Sequence, residues 1–221
     1  MGNSNSVELE CPLQVPSGPM QALDDSIIAQ FPTSVCVKAS TIQARASVID
    51  QTTGKTISIF RSKAFSSRTE LAAPNGHIIA SVKKNTFSRK YRVFQGGQTE
   101  QLSFLINDIS GMFNTMLLVA EFTDRTSGIP CRIVTKGKPS SKVVLCYLER
   151  GSPTLTQLEG IEDHLQNQAR YRRVGRIRRR PHFTGEGYFI EATAGVDLTL
   201  LLLIWHVRHA CLLAERASIS S

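Results

Sequence analysis

The feature that most constrains the fold is GVDLTLLLLIWHVRHACLLAE, which runs from Gly195 to Glu215 near the end of the chain. As a helix, the stretch from Asp197 to Arg216 would be about 30 Å long, which matches the hydrocarbon core of a bilayer. The sequence therefore places this apolar helix either across a membrane or inside a protein fold.

The distribution of charge within the segment favours the protein interior. Its dense apolar run extends only from Leu198 to Val207, and runs of roughly 10–14 residues are more typical of buried helices. An arginine near the middle of a bilayer, where His206, Arg208 and His209 would lie, costs about 2.5–3.5 kcal/mol. At about 100° per residue, the first half is apolar almost all round and the second half keeps one apolar stripe. We therefore predict no transmembrane span. The first half should be surrounded by protein and the second half should emerge at a surface, with the histidines and Arg208 on its polar side.

The chain before this helix carries β signals from Val35 onward. Short apolar or alternating runs recur at even spacing, as in ASVIDQTTGKTISIF and RTELAAPNGHIIASVKK, with turn residues between them. This pattern predicts an antiparallel meander that closes into a barrel or a sandwich and could wrap around the helix. The predicted turns are at Thr53–Gly54, Pro74–Gly76, Gly96–Gly97, Thr126–Gly128 and Gly137–Pro139.

The pattern divides the chain into three parts. Residues 1–34 lack periodicity and are rich in proline, which predicts a flexible N-terminal tail; residues 35–216 form the barrel domain, and residues 217–221 form a C-terminal tail. Within the domain, the polar stretch from Gly151 to Arg173 could hold a short surface helix. The opening MGNSNS fits the pattern for myristoylation of Gly2. Five scattered cysteines with no CxxC pair predict buried free thiols in a reducing, intracellular setting.

The sequence contains none of the common catalytic signatures. GKT at Gly54–Thr56 resembles the end of a phosphate-binding loop, but Ile49 stands where the first glycine is required. No GxSxG or HExxH motif occurs. His206 and His209 could share a helix face, yet two ligands do not make a zinc site. We therefore predict that the protein is not an enzyme and has no cofactor and no metal site.

Three stretches in a fixed order carry a resemblance to a known family. They are VIDQTTGKTISIF, KAFSSRTELAAPNGHIIASVKKNTFSRKYRVFQGG and YFIEATAGVDLTLLLL. Their order resembles that of the tubby C-terminal-like superfamily, in particular its LURP-one-related branch, which is also similar to the phospholipid scramblases. The matching positions are Gly54, Gly76, Tyr91 to Phe94, Gly96 and Gly195 to Asp197.

The resemblance covers about Ser47 to Glu215 and implies a particular architecture. The implied fold is mainly β: a twelve-stranded closed β-barrel around a central hydrophobic C-terminal α-helix. The resemblance also points to lipid binding, because tubby proteins bind phosphoinositides through basic residues on the barrel.

The net charge of +8 and a pI near 9.5 predict an anionic partner. Basic residues concentrate in VKKNTFSRKYR and RYRRVGRIRRR. Because alternate residues of a strand share a face, Lys90 and Arg92 form one ladder, and Arg176 and Arg178 form another. The two ladders together could form a cationic wall, at about 1 kcal/mol per basic residue near an anionic leaflet. The predicted lipid- or anion-binding residues are Lys83, Lys84, Arg89, Lys90, Arg92, Arg172, Arg173, Arg176, Arg178 and Arg180.

These observations predict a non-enzymatic β-barrel module that binds anionic, phosphoinositide-type membrane lipids peripherally. Such a protein would be cytoplasmic and would attach at the plasma membrane, with a Gly2 acyl chain as a second attachment. Two alternatives stay open: a nucleic-acid binder that uses the same arginines, and a scaffold or adaptor. Only Tyr171 and Phe183 accompany the arginine-rich run, which argues against a stacking platform for single strands.

Overall fold

The structure is a computed structural model that describes residues 11–40, 45–62, 67–97, 101–110, 115–138, 141–151, 171–182 and 185–219. Twelve strands precede one long helix in these residues. The strands are β1 (Thr33–Ser40), β2 (Arg45–Asp50), β3 (Thr56–Ser62), β4 (Arg68–Ala72), β5 (Ile78–Lys84), β6 (Lys90–Gln95), β7 (Leu102–Asp108), β8 (Met116–Thr123), β9 (Pro130–Gly137), β10 (Val143–Arg150), β11 (Arg172–His182) and β12 (Gly185–Ala192). The helix is α1 (Leu198–Ile219).

The strands form a closed antiparallel barrel in which each strand pairs with its neighbours in sequence. β12 closes the ring by pairing with β1, from Thr33 opposite Ala192 to Lys38 opposite Gly187. Four of the predicted turns place a glycine at positive φ: 68° at Gly54, 91° at Gly76, 57° at Gly96 and 71° at Gly128. Glycine adopts this conformation without the steric cost that a side chain would bring. The predicted architecture, a twelve-stranded closed barrel with one C-terminal helix, is confirmed.

The apolar half of α1 forms the centre of the core. Leu200, Leu201, Leu202 and Leu203 are completely buried, and Trp205 is 1% exposed. By length and composition alone, α1 could cross a bilayer. Its apolar half is instead enclosed by the strands of the same chain, as the sequence predicts, and burying each large aliphatic side chain contributes about 1.5–3 kcal/mol.

The polar half of α1 differs in one respect from the sequence prediction. Arg208 is only 4% exposed, although it was expected on the solvent side. Its Nη2 donates a 2.8 Å hydrogen bond to the carbonyl of Lys138, which follows β9, so the guanidinium is held at the end of that strand. His206 stacks on the Phe60 ring with 5.1 Å between centroids, and His209 Nδ1 lies 3.1 Å from the Tyr188 hydroxyl.

Residues 11–32 form a strap that closes the end of the barrel where α1 begins. Met20 and Leu23 are completely buried. The Met20 amide donates to the Gly195 carbonyl at 2.8 Å, and the Leu198 amide donates to the Ile27 carbonyl at 2.8 Å. The prediction of a flexible tail over residues 1–34 therefore does not hold for residues 11–34, because the loop before α1 supplies partners for this aperiodic, proline-rich backbone. The predicted Gly2 modification lies outside the described residues.

The alternating strand directions give the barrel two different ends. The strap end contains the strap, the start of α1 and the turns after β2, β4, β6 and β8. The opposite end, where α1 emerges, is called here the helix-exit end. It contains the last residues of β1, β3, β5, β7, β9 and β11 and the first residues of the strands that follow them. The helix α1 continues to Ile219, beyond the predicted domain boundary at residue 216. The short surface helix was predicted between Gly151 and Arg173, and residues 152–170 lie outside the described part of the chain.

Candidate functional site

The arginine-rich strand β11 is largely occupied by contacts within the protein. Arg176 Nη1 lies 3.2 Å from Glu191 Oε2, and Arg178 also forms a salt bridge with Glu191 on the neighbouring strand β12. The guanidinium of Arg178 additionally lies 5.7 Å from the centre of the Phe189 ring. Arg176 and Arg178 therefore share the outer face, as predicted, but one carboxylate neutralises part of their charge.

Other arginines of β11 hold the strap against the outer wall. Arg172 Nη1 donates to the Val15 carbonyl at 3.0 Å, and Arg176 Nη2 donates to the Cys11 carbonyl. The Arg173 amide donates to Gln14 Oε1 at 3.1 Å. These bonds give Arg172, Arg173 and Arg176 a structural role. The side chain of Arg180, which was also predicted to bind lipid, lies outside the described part of the structure.

The two predicted ladders lie on opposite sides of the barrel. Strands β7, β8, β9 and β10 separate β6 from β11 in one direction, and β4, β3, β2, β1 and β12 separate β5 from β11 in the other. The prediction that the ladders combine into one cationic wall was therefore wrong. Strand alternation gives the face on which a residue lies, but it does not give the position of its strand around the ring.

The basic residues of β5 and β6 are exposed and lie close together. Lys83, Lys84, Arg89, Lys90 and Arg92 all have solvent-exposed side chains. Lys83 and Arg92 are directly opposite each other across the two strands. Like charges at such a position destabilise a sheet, so this pairing is a cost to folding that a binding role would explain.

Phe87 occupies the turn between these two strands and is 97% exposed. It has Lys83 and Lys84 before it and Arg89 and Lys90 after it. The turn is formed by a hydrogen bond from the Asn85 amide to the Lys90 carbonyl at 2.9 Å, which leaves the ring directed away from the core. The sequence prediction missed Phe87, although a single aromatic residue between two basic pairs in a hairpin turn was a visible signal.

Charge is distributed unevenly along the barrel axis. The strap end carries both signs of charge: Asp24, Asp25, Asp50 and the buried Asp124 and Asp197 lie there with Lys55, Arg125, Arg150 and Arg172. The acidic side chains described at or near the helix-exit end are those of Asp108, Glu215 and Glu70, and Glu70 pairs with Arg68. The basic residues at or near that end include Lys38, Arg45, Arg61, Arg68, Lys83, Lys84, Arg89, Lys90, Arg92, Lys136, Lys138, Lys142, Arg178 and Arg179.

A pocket of about 390 Å³ opens at the helix-exit end, between α1 and strands β5 to β8. Lys84 and Arg89 line it together with Tyr91, Asp108 and Cys211. The Tyr91 hydroxyl lies 3.3 Å from Cys211 Sγ. Burial raises the pKa of both groups, so the phenol and the thiol are protonated at neutral pH. The predicted basic set is thus divided between the outer wall and this pocket.

A buried polar network on the outer face of the barrel is structural in character. Arg132 forms a salt bridge with Glu149 and donates a 2.9 Å hydrogen bond to the Tyr171 hydroxyl, and all three residues are at most 2% exposed. Cys36, Cys131 and Cys146 are buried free thiols, as predicted, whereas Cys11 and Cys211 are free thiols that are only partly buried. Burial raises the pKa of Cys131 and Cys146, which makes these thiols poor nucleophiles.

Comparison of the chain with models of protein families, with curated proteins and with solved structures found no match in any of the three.

Proposed function

We propose that the protein is a non-enzymatic module that binds anionic membrane lipids peripherally with its helix-exit end. The observation that carries this proposal is the nearly complete exposure of Phe87 at a turn bracketed by Lys83, Lys84, Arg89 and Lys90. An aromatic ring that enters the interfacial region and cations that contact lipid phosphates are the two contributions on which peripheral attachment depends.

The polarity of charge along the barrel supports this orientation. With the helix-exit end on the leaflet, its excess of basic residues faces the anionic surface, and the strap end, where both signs of charge occur, faces away from it. Leu213, 48% exposed near the end of α1, adds apolar surface at the same end. The sequence resemblance to the tubby C-terminal-like superfamily points to the same class of ligand, phosphoinositides included.

The strap runs toward the helix-exit end, which favours a second attachment to the membrane at that end. From Val15 to Cys11 its contacts move from Arg172 to Arg176, that is, along β11 from the strap end toward the helix-exit end. The ten residues before Cys11 can span at most about 33–36 Å when extended. We therefore propose that an acyl chain on Gly2 would reach the membrane that the Phe87 turn contacts.

Vesicle flotation with matched variants tests this proposal. The protein should float with vesicles that contain phosphatidylserine or phosphoinositide, remain behind with neutral vesicles, and be released by high salt. Lys90→Glu should weaken binding by about 30-fold, because reversing a charge removes about 1 kcal/mol of attraction and adds a comparable repulsion. Lys55→Glu makes the same charge change at an exposed position of the strap end and should have little effect. Equal recovery with neutral and anionic vesicles would exclude the proposal.

Nucleic-acid binding through β11 is the alternative, and the contacts of its arginines argue against it. Arg176 and Arg178 share Glu191, and Arg172 is bound to the strap. Competition between anionic vesicles and DNA or RNA distinguishes the two functions, since displacement from vesicles by low concentrations of nucleic acid would favour the alternative.

A further inference from the structure

The pocket at the helix-exit end has the size of a small-molecule site and contains both signs of charge. Its volume of about 390 Å³ lies within the range of about 300–1,000 Å³ that is typical of ligand pockets. Two cations, Lys84 and Arg89, lie at the β5–β6 turn. Two carboxylates, Asp108 at the end of β7 and Glu215 on α1, line the same pocket.

These four charged groups do not neutralise one another. Among the described residues, no salt bridge joins Lys84 or Arg89 to Asp108 or Glu215. Arg89 Nη1 donates instead to the Ser110 carbonyl at 2.8 Å, and one oxygen of Asp108 accepts a hydrogen bond from the Ser110 amide at 3.0 Å. The other oxygen of Asp108 has the weakly donating Cys211 thiol as its partner, at 3.8 Å.

The distribution of charge identifies the chemistry of a fitting ligand. Two cations alone would suit a simple phosphate, but the two carboxylates would repel it. A ligand that carries phosphate and ammonium groups would be paired by both sets, and each charge-assisted hydrogen bond is about twice as strong as a neutral one. Opposite charges that are held apart in one pocket therefore favour a zwitterionic group over a purely anionic one.

We propose that this pocket binds the headgroup of an anionic aminophospholipid of the phosphoserine type, an inference that rests on the proposed membrane-binding function. Lys84 and Arg89 contact its phosphate and carboxylate, and Glu215 and Asp108 contact its ammonium group. Lys84 and Arg89 flank the exposed Phe87 turn in sequence. A lipid of the leaflet that this turn enters can therefore present its headgroup to the pocket. Met116, Tyr91 and Ala214 supply apolar contact for the glycerol portion.

Vesicles of matched charge separate headgroup recognition from charge attraction. Phosphatidylserine and phosphatidylglycerol each carry one net negative charge, so vesicles with equal fractions of either lipid attract the basic end equally. We expect the full-length protein to bind the phosphatidylserine vesicles about tenfold more tightly, the factor that corresponds to about 1.4 kcal/mol. Equal binding to both would overturn the headgroup assignment and leave the proposed function intact, whereas binding to neither would overturn the proposed function itself.

A variant of Glu215 tests the role of the carboxylates. The Glu215 carboxylate has no hydrogen-bond or salt-bridge partner among the described residues, so Glu215→Gln removes no contact that holds the fold. We expect Glu215→Gln to lower the preference for phosphatidylserine several-fold without weakening binding to phosphatidylglycerol. Asp25→Asn, an exposed carboxylate of the strap end, makes the same change in net charge and should leave the preference unchanged. Equal effects of the two variants would contradict the assignment.

A soluble headgroup distinguishes the lipid from a free metabolite. Titration with glycerophosphoserine should shift the NMR amide signals of Lys84 and Asp108, and glycerol phosphate should shift them less. Equal shifts with both compounds would overturn the role of the ammonium group. Shifts with glycerophosphoserine, combined with no preference for phosphatidylserine vesicles, would assign the pocket to a soluble ligand and overturn the lipid assignment.

Discussion

The Ala22 amide donates a 2.8 Å hydrogen bond to the Oδ2 atom of Asp197, which joins the strap to the residue that precedes the buried helix. The same oxygen accepts a 2.7 Å hydrogen bond from the Ser26 hydroxyl, and Oδ1 accepts a 3.0 Å bond from the Leu200 amide. One carboxylate therefore caps the first turn of α1 and closes the barrel at its strap end.

Replacement of this carboxylate should destabilise the fold strongly. Asp197→Ala leaves the buried amides of Ala22 and Leu200 without acceptors, and hydrogen bonds to a charged group contribute about 1.5–3 kcal/mol each. We expect the free energy of unfolding, measured by urea denaturation, to fall by about 3 kcal/mol. Asp25→Ala removes an exposed carboxylate from the same strap and should cost less than about 1 kcal/mol. Similar losses in the two variants would contradict the role of Asp197.

Two groups on α1 or next to it should make opposite contributions to the pH dependence of stability. Burial raises the pKa of Asp197 to about 6 from an ordinary value of about 3.9. Between these values the folded protein retains a proton that the unfolded chain loses, so this contribution to stability falls as pH rises. Burial, with the nearby His209, lowers the pKa of His206 to about 4 from about 6.5. In that window the unfolded chain binds the extra proton, so this contribution rises with pH.

Single variants should reveal the two opposing slopes. The free energy of unfolding should rise more steeply with pH in Asp197→Asn than in the wild type between about pH 4 and 6, and it should rise less, or fall, in His206→Gln. Each difference should be at most about 1.4 kcal/mol per pH unit. Urea denaturation at half-unit pH intervals measures these slopes, and variants that both keep the wild-type pH profile would show that neither group titrates as described.

The contact between Gly175 and Leu201 tests the position of the helix inside the barrel. A Cβ on Gly175 would lie 2.6 Å from Leu201 Cδ1 and 3.1 Å from the Glu191 carbonyl oxygen. Gly175→Ala should therefore reduce stability by about 1–3 kcal/mol through overpacking, and Leu201→Ala alone should cost about 2–5 kcal/mol through the cavity that it leaves.

The double variant Gly175→Ala/Leu201→Ala should lose less stability than the sum of the losses in the two single variants. The shortened side chain at residue 201 relieves the clash with the new Cβ at residue 175. Thermal or urea unfolding of the four proteins completes the cycle. Additive losses would show that β11 and α1 do not meet at these residues.

The sequence was sufficient to predict the architecture for a physical reason. The run from Leu198 to Trp205 is apolar on every side, so that part of a helix requires an enclosing layer, and the evenly spaced strands before it could supply one only by closing. Turn residues such as Gly54 and Gly76 marked the strand boundaries because few other residues tolerate their positive φ.

The strap and the arrangement of the basic residues could not be predicted in the same way. Burial of Met20 and Leu23 arises from the closing of one barrel end and leaves no periodic pattern in the sequence. Neutralisation of Arg176 depends on Glu191, which lies on another strand. The separation of the two ladders depends on the strand order around the ring. Phe87 differs from these cases, because its place between two basic pairs was visible in the sequence and only its exposure required the structure.

The most direct test of the membrane orientation is the fluorescence of a tryptophan placed at Phe87. The native Trp205 is 1% exposed and gives a constant background. The emission of Phe87→Trp should move to shorter wavelength on addition of phosphatidylserine vesicles, because the indole enters the interfacial region. Ile129→Trp places the same probe at an exposed apolar position of the strap end, and its emission should stay unchanged. A shift at residue 129 with none at residue 87, or no shift at either position, would contradict the account.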